Sequence, residues 1–552
     1  MIVLGLNGKL DGHDPAAVLA VDNKVIAAVE EERISTVRHH PGGLPRQAAA
    51  WALRHAGLSV ADLDLVALGW DPRRQADAPE PDSDTELLDL LLPRGMFPTP
   101  TRPQLVRVTH HLAHATGAWA TSGYRDCAVL VVDGSGERES TSIWHGHGGN
   151  RLDELVSLPF ANSLGFFYQA LTQHVGMRMF DEGKTMGLAA WGDTRWALPS
   201  VIEAPPVAAV AKPDTAHYQA IVRGWQRVFE RVTGLGPARR GMRSDPTTCR
   251  TERTAPPLGS DYRDLAASGQ ARLVADLRQL AADALRRTGE PLLALSGGVA
   301  LNCAMNGVLE AAISPVDLHV QPACNDTGVA LGAACWAALT HGSRVEVPAG
   351  HVYGGPAFTA GFVADALREW NVAVRDVDDP YRAAGALLAE GKVVALFEGG
   401  AEFGPRALGG RSILADASRP ELLERVNTIK KREHWRPLGP ALHSAEAEKV
   451  FGRAVNGDYM LVARPVADGQ RDALPAAVHV DGTARAQVVR HDLAPGLSRL
   501  VSEVQARTGT PALINTSFNV RGPIVLTPQH AMATFATSGL DALLIEGHLI
   551  QK

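Results

Sequence analysis

Apolar residues along this chain recur with two periods, and the alternation between them sketches the elements. In the first 70 residues, short β-rich runs (Met1–Leu6, Ala17–Val21, Lys24–Val29) precede a helical stretch, Gln47–His55, and another strand, Leu63–Gly69. This order predicts an α/β domain with a mixed sheet. The Pro/Asp-rich stretch Asp71–Pro103 reads as a loop carrying one short helix, Thr85–Leu92. After it, the apolar run Ala128–Val132, a glycine turn and Ser142–His145 predict a hairpin. Residues 199–259 are rich in proline, hold Arg239, Arg240, Arg243, Arg250 and Arg253, and show no periodicity across the interval, so an insertion is expected there. The α/β pattern resumes with helix Ser268–Arg287, strand Leu292–Leu295, the turn SGGVALN, strand Val316–Gln321 and a buried helix, Val329–Leu339, that is too short to span a bilayer.

His341–Thr359 breaks every periodic pattern and carries Pro and Gly at short intervals, which places a domain boundary near residue 350, between 1–350 and 351–552. Helix–strand alternation then returns: helix Pro380–Glu390, strand Val393–Glu398, helix Pro420–Lys431, strand Tyr459–Ala463, helix Gly496–Thr508, strand Ala512–Asn515, helix Pro528–Thr537 and strand Ala542–Glu546. A second α/β domain is expected. No repeat of fixed period is visible.

Composition narrows the function classes. The length of 552 residues suits two large domains or three small ones, and 45% hydrophobic with 21% charged residues excludes disorder. With 54 Lys+Arg against 60 Asp+Glu, the net charge of -6 gives no bulk reason to bind nucleic acid or an anionic membrane, so any anion site must be local. The first residues, MIVLGLNGKLDGHDPAAVLAVDN, read as strand and turn and not as a leader. Five dispersed cysteines without a CxxC argue against disulfides and thiolate zinc, and fit a reducing cytoplasm.

Three groups of residues can carry chemistry. In VTHHLAHA, His110 and His114 are four apart and share a face if the segment is helical, while His111 does not. Asp133 ends an apolar strand and Asp326 precedes a helix, so two imidazoles and two carboxylates can hold a divalent metal, iron, manganese or zinc in preference to magnesium or calcium. A helix that is merely rich in histidine is the plainer reading of the pair alone. The glycine corners DGSGE (Gly134, Ser135, Gly136) and LSGGVALN (Gly297, Gly298, Asn302) each follow a strand and suit phosphate oxygens of a nucleotide, although no Walker loop occurs. Glu182 and Lys184 lie between the corners as further site candidates, and His13 follows the first strand, where it can take a proton from a hydroxyl or simply cap a turn. The third group is cationic: Arg406, Arg411, Lys430, Arg432, Arg436 and Arg485, with Asn515, Thr516, Ser517 and Asn519 as further donors, suggests a specific anion pocket. For KKRE alone, a solvated helix face is the competing reading.

Taken in order, HHLAHA, VVDGSGE, EGKTMGLAAWG, LSGGVALN, NDTG, FGPRALGGRSILAD, KKREHWRPLGP and LINTSFNVRGPIV resemble the successive motifs of the NodU/CmcH carbamoyltransferases. The resemblance implies an N-terminal actin-like ATPase domain of the threonylcarbamoyl-transferase type and a C-terminal YrdC-like domain. It implies that the second domain makes carbamoyl-adenylate from carbamoyl phosphate and Mg-ATP, and that the first passes the carbamoyl group to a hydroxyl of a small molecule such as an antibiotic or other secondary metabolite. Carried over by position, His110, His114, Asp133 and Asp326 match metal ligands with iron the expected ion. Lys430, Arg436, Arg485 and Ser517 match carbamoyl phosphate and nucleotide contacts, and His13 matches the base.

Some positions depart from the family pattern. Arg38 stands where a lysine is usual, NVRGPIV lacks a Glu between Gly and Pro, and RPLGP replaces RPFAP. Residues 199–259, the least family-like part, are the candidate for acceptor selection. A tRNA threonylcarbamoylation enzyme and a non-catalytic nucleotide-regulated binding protein remain alternatives, and the oligomeric state, a homodimer included, is open.

Overall fold

The structure is a computed structural model that describes residues 1–9, 12–74, 81, 83–238, 258–314, 316–455 and 459–552. It divides into two compact units, the first ending at Val352 and the second covering Tyr353–Lys552.

The first unit contains two five-stranded sheets. One is built from β1 (Ile2–Asn7), β2 (Ala16–Val21), β3 (Lys24–Glu30), β4 (Leu65–Leu68) and β5 (Gln104–Arg107) in the order β3-β2-β1-β4-β5. The other contains β6 (Cys127–Val132), β7 (Glu139–His147), β8 (Arg151–Pro159), β9 (Leu292–Ser296) and β10 (Asp317–Val320) in the order β8-β7-β6-β9-β10. In both sheets the second strand pairs antiparallel with the first and the third, while the fourth pairs parallel with the first and the fifth parallel with the fourth. The same topology thus occurs twice. No fixed sequence period reveals it, because the long helical segment between β8 and β9 stretches the second copy.

Each fifth strand leads into a helix, His110–Ser122 after β5 and Val329–Thr340 after β10. These helices pack on each other between the sheets, the first against β6 and β9 and the second against β1, β2 and β4. The small-residue run VALGAACWAALT allows that approach: a Cβ at Gly332 would lie 1.8 Å from the carbonyl oxygen of Ala113. Central strands such as CAVLVV are buried at every position, because both faces of the sheet are covered.

The interval 199–259 corrects the sequence reading. Helix Thr215–Thr233 runs through it, capped by Asp214 and burying Ile221, Val222, Trp225, Val228 and Phe229 on one face. That 3.6-residue pattern was legible, but it occupies only the middle of a proline-rich interval and is diluted when the whole is averaged. Phe167 of helix Leu164–His174 meets Trp225 and Phe229 edge-on. The five arginines Arg239, Arg240, Arg243, Arg250 and Arg253 lie outside the described residues.

The second unit is one eight-stranded sheet with helices on its faces. Its strands are β11 (Val394–Phe397), β12 (Arg411–Asp416), β13 (Gly439–Leu442), β14 (Tyr459–Pro465), β15 (Thr483–Val488), β16 (Ala512–Ser517), β17 (Ala542–Ile545) and β18 (His548–Gln551), in the order β14-β15-β13-β16-β12-β11-β17-β18. One face packs Leu388, Leu396, Leu497 and Leu544 beneath helices Pro380–Ala389 and Pro495–Thr508. The opposite face packs Phe397, Ile413, Ile514 and Phe518. The strands that periodicity misses are β12, β13, β15 and β18, which are short or interrupted by Arg, Pro and Gln. Both units are mixed α/β. Among the described residues no helix is long and apolar enough to cross a membrane, and Cys127, Cys303, Cys324 and Cys335 are buried free thiols.

Candidate active site

The apposed helices of the first unit and the ends of β6 and β10 converge on one buried group. His110 and His114, one turn apart, present their rings edge to face with centroids 4.7 Å apart. Asp133 follows β6, and Asp326 opens the turn before helix Val329–Thr340. One ligand atom from each of these four residues lies within 4.8 Å of all the others. His110 Nε2 is 3.2 Å from Asp133 Oδ2 and 3.7 Å from Asp326 Oδ1, and the corresponding His114 distances are 3.9 and 3.8 Å.

The hydrogen bonds around this group fit a cation. The Ser296 hydroxyl donates to Gln321 Oε1 at 2.7 Å, so it accepts from His114 Nδ1 at 3.1 Å. His114 therefore carries its proton on Nδ1 and aims the lone pair of Nε2, buried and without a hydrogen-bond partner, at two carboxylates. Lone pair and anions repel unless a positive charge joins them. The same demand acts on His110: burial alone pushes it down, but Asp326 and Asp133 hold it well above the usual imidazole value. Burial raises the carboxyls, yet the facing imidazoles hold Asp326 well below and Asp133 below the ordinary range. His111 is out of register and instead bonds Ser142 Oγ at 2.8 Å.

At the mouth of the group stands His13, its side chain 40% exposed, with Nδ1 3.0 Å from Asp14 Oδ2 and 3.8 Å from Asp326 Oδ2. Burial works against its charge, but Asp326 and Asp14 raise it to about 9, so in this charge environment His13 holds its proton at neutral pH. Asp14 Oδ1 is 2.8 Å from His39 Nδ1. The ring of Phe180 stacks on His39 at 4.5 Å and meets His13 edge-on at 5.0 Å. Asp14, His39 and Phe180 have φ of 54°, 59° and 67°. Each such residue costs of order 1–3 kcal/mol, and sites of this kind persist where the surroundings over-determine them.

In the second unit, Arg432, Arg436 and Arg485 lie close together: burial first, and then the charges of the other two, push Arg432 well below the usual guanidinium value. Arg432 donates to Asn427 Oδ1 and to the carbonyl of Pro437. Lys430, also buried, donates to Ser517 Oγ at 3.1 Å and to the Asn519 carbonyl and Oδ1 at 3.1 and 2.6 Å. All three guanidinium groups are partly exposed and Arg436 faces Glu433 at 3.8 Å, yet gathering them leaves a local excess of positive charge that suits an anion.

The family described as Carbamoyltransferase N-terminus matches residues 85–335, and Carbamoyltransferase C-terminus matches residues 385–552. The chain belongs to the carbamoyltransferase family. It is 34% identical to nodulation protein NolNO of Sinorhizobium fredii, in an alignment covering 100% of this chain and 83% of the relative. It is also 34% identical to nodulation protein NolO of Bradyrhizobium diazoefficiens, over 81% of this chain and 79% of the relative. Among solved structures, component A of the (R)-2-hydroxyglutaryl-CoA dehydratase of Acidaminococcus fermentans aligns with TM-score 0.35 and 13% identity, over 62% of this chain and 98% of the other. HypF of T. kodakarensis aligns with TM-score 0.33 and 15% identity, over 62% and 48%. The protein is a carbamoyltransferase, which sets aside the reading of a non-catalytic binding protein.

Several expected site residues of this carbamoyltransferase do other work. Arg411, expected in the anion pocket, is fully buried; Nη1 donates to the carbonyls of Glu398, Gly399 and Gly410, and Nη2 to that of Pro356. Its guanidinium also lies 3.6 Å from the centroid of Phe397, so it braces the loop before β12. Asn515 is buried in a network with Gln487 Oε1 and the Ala407 carbonyl, both accepting from its amide, and Thr516 opposes Ile413 in the sheet. Arg406 sits partly buried in the loop between β11 and β12. Lys184 pairs with Asp181 at 2.9 Å and not with Glu182, whose carboxyl burial pushes up.

The glycine corners are likewise occupied from within. Gly136 N–H donates to the Glu139 carbonyl, Gly297 N–H to that of Cys324, and Gly298 N–H to Asp133 Oδ1 at 2.7 Å, so these three groups orient the corners and the carboxylate instead of cradling phosphate. Gly297 needs its left-handed φ of 94°, since a Cβ there would meet the Val132 carbonyl oxygen at 2.2 Å. Gly134 and Ser135 stay partly exposed, and Asn302 caps helix Cys303–Ile313 and exchanges hydrogen bonds with Gln270. Sequence reasoning missed Ser296, Glu137, Asp14, His39 and Phe180. Glu137 accepts the backbone N–H of His110 at 3.1 Å and of Asp71 at 2.8 Å, fixing the start of the histidine helix. Ser296 in LSGG and Asp14 beside His13 were visible as motif neighbours, but nothing local marked them.

Proposed function

We propose that this carbamoyltransferase uses ATP and carbamoyl phosphate to carbamoylate a hydroxyl of a small molecule, an antibiotic or other secondary metabolite. The second unit, read as YrdC-like, forms carbamoyl-adenylate, and the first, read as an actin-like ATPase fold of the threonylcarbamoyl-transferase type, transfers the carbamoyl group. The observation that carries this reading is the pair of opposite-charge clusters, one in each unit. Arg432, Arg436 and Arg485 beside Lys430 suit capture of a phosphate dianion. His110, His114, Asp133 and Asp326 suit a divalent ion, iron, manganese or zinc. The twice-repeated β-topology supports the actin-like reading.

In the transfer half, Asp14 and Asp326 face His13 Nδ1, which leaves Nε2 to meet the acceptor hydroxyl and take its proton. Because the charge of Asp326 keeps His13 protonated, the base role requires that charge to be engaged elsewhere. A divalent ion held by the four ligands would supply that neutralisation and stabilise phosphate oxygens of the departing AMP. Residues 199–259 are proposed to select the acceptor.

The test is a screen of candidate alcohols with ATP and carbamoyl phosphate, read by mass spectrometry as the gain of one carbamoyl unit, alongside pyrophosphate release. Arg436→Ala is expected to abolish pyrophosphate release but retain transfer from supplied carbamoyl-adenylate, and His114→Ala to do the reverse. Loss of both steps in both folded variants would refute one step per unit. Pyrophosphate release driven by threonine and bicarbonate, and not by carbamoyl phosphate, would favour tRNA threonylcarbamoylation instead.

A further inference from the structure

His13 lies on a loop after β1, where a side chain has many rotamers open to it, yet its ring is held by Asp14 at Nδ1 and by Phe180 at an edge. Asp14 spends one oxygen on each of two histidines, Oδ2 on His13 Nδ1 at 3.0 Å and Oδ1 on His39 Nδ1 at 2.8 Å. A carboxylate only accepts, so both rings present Nδ1–H to it, and once His13 is neutral it is fixed as the tautomer whose Nε2 has the lone pair. His39 is tied in turn: its backbone N–H donates to Glu32 Oε2 at 2.7 Å, and its carbonyl accepts the Asp14 N–H at 2.8 Å. From a distant segment Phe180 closes the other side, stacked on His39 with rings inclined by 22° and edge-on to His13 at 77°. Asp14, His39 and Phe180 all take the left-handed backbone region, at φ 54°, 59° and 67°. Asp tolerates that region, but Phe is a genuine outlier there. Such strain concentrated around one imidazole marks a place where orientation is held against local preference.

We propose that Asp14, His39 and Phe180 form a brace that sets the His13 imidazole for carbamoyl transfer, and that His39 and Phe180 are positioning residues of this enzyme. The inference rests on the reading that His13 faces the acceptor hydroxyl. Neither His39 nor Phe180 touches the reacting atoms in this arrangement; each acts through His13. A misplacement of about 1 Å at such a group can cost about 100-fold in rate.

The test uses the full chain and the alcohol that gains a carbamoyl group in the screen, with carbamoyl-adenylate supplied. His39→Ala and Phe180→Ala are expected to lower kcat for transfer about 10–100-fold with KM for the alcohol within about twofold. His39→Asn, whose amide N–H can replace Nδ1–H toward Asp14, is expected to recover most of that loss. Phe180→Gly relieves the backbone strain while removing the ring, so a slow but stable Phe180→Gly enzyme separates positioning from folding. Independently of the acceptor, diethyl pyrocarbonate labelling of His13, located by peptide mass spectrometry, should change rate in the same variants. Wild-type kcat in His39→Ala and Phe180→Gly, in a protein that His13→Ala inactivates, would overturn the brace alone. Wild-type kcat in His13→Ala itself would overturn the role of His13 and the brace with it.

Discussion

Arg411→Met discriminates between an anion-binding and an architectural arginine. Its guanidinium sits in the interior with four carbonyl acceptors, and burial pushes its pKa down to about 10. That depression means burial disfavours the charge by about 3 kcal/mol, a cost the substitution removes. Against it stands the loss to the loop. Gly410 and Pro356 keep backbone donors, from Glu398 N–H and Ala401 N–H; the carbonyl of half-buried Glu398 loses the guanidinium at about 1–3 kcal/mol, while that of exposed Gly399 turns to water. Loss of the stack on Phe397 adds about 2 kcal/mol. The net expectation is a destabilisation of about 1 kcal/mol. For a unit of this size that lowers its thermal transition by about 2–4 °C. The assay is a pair of measurements: the transition by calorimetry, and KM for carbamoyl phosphate well below it. The reasoning predicts a lowered transition with KM nearly unchanged. An unshifted transition with pyrophosphate release abolished would refute it and return Arg411 to the anion pocket.

Two further outcomes follow from the first unit. Ser296→Ala removes the acceptor of His114 Nδ1–H, and affinity for manganese or zinc, measured by chelator competition, is expected to fall about 10–100-fold; unchanged affinity would mean that this hydroxyl does not orient the ligand. Burial holds both His319 and His351 down at about 4, so below 6.5 the unfolded chain takes up protons that the folded one refuses. Stability is therefore full above pH 6.5 and lost as pH falls toward 4, by up to about 1.4 kcal/mol per pH unit for each histidine. Urea titrations from pH 7 to 4.5 should show this slope, and His351→Gln should reduce it. A wild-type profile flat over that window would contradict the burial argument.

Helices such as Pro528–Thr537 and Pro380–Ala389 were legible because proline opens them and one face is apolar over ten residues. β13, with the sequence GPAL, was not, since four residues holding Gly and Pro show no alternation; β15, with TARAQV, does alternate, but its apolar positions are two alanines and a valine, so its strand character comes mainly from neighbours on both sides. His110 and His114 were paired by helical spacing alone. Their meeting with Asp133 and Asp326 depends on two helices crossing at Gly332, a contact between residues more than 200 positions apart in the chain.

The sequence by itself determined the α/β character, the helix faces, the charge balance and the motif residues, because each depends on near neighbours and on the chemical nature of a side chain. Tertiary structure alone decided which of those side chains face one another. It buried Arg411 among carbonyls while its neighbours in the cationic motifs gathered, turned the Gly298 N–H onto Asp133, and forced Asp14, His39 and Phe180 into left-handed backbone around His13. Such choices are made by packing, where the burial of many distant residues outweighs the local preference of a few.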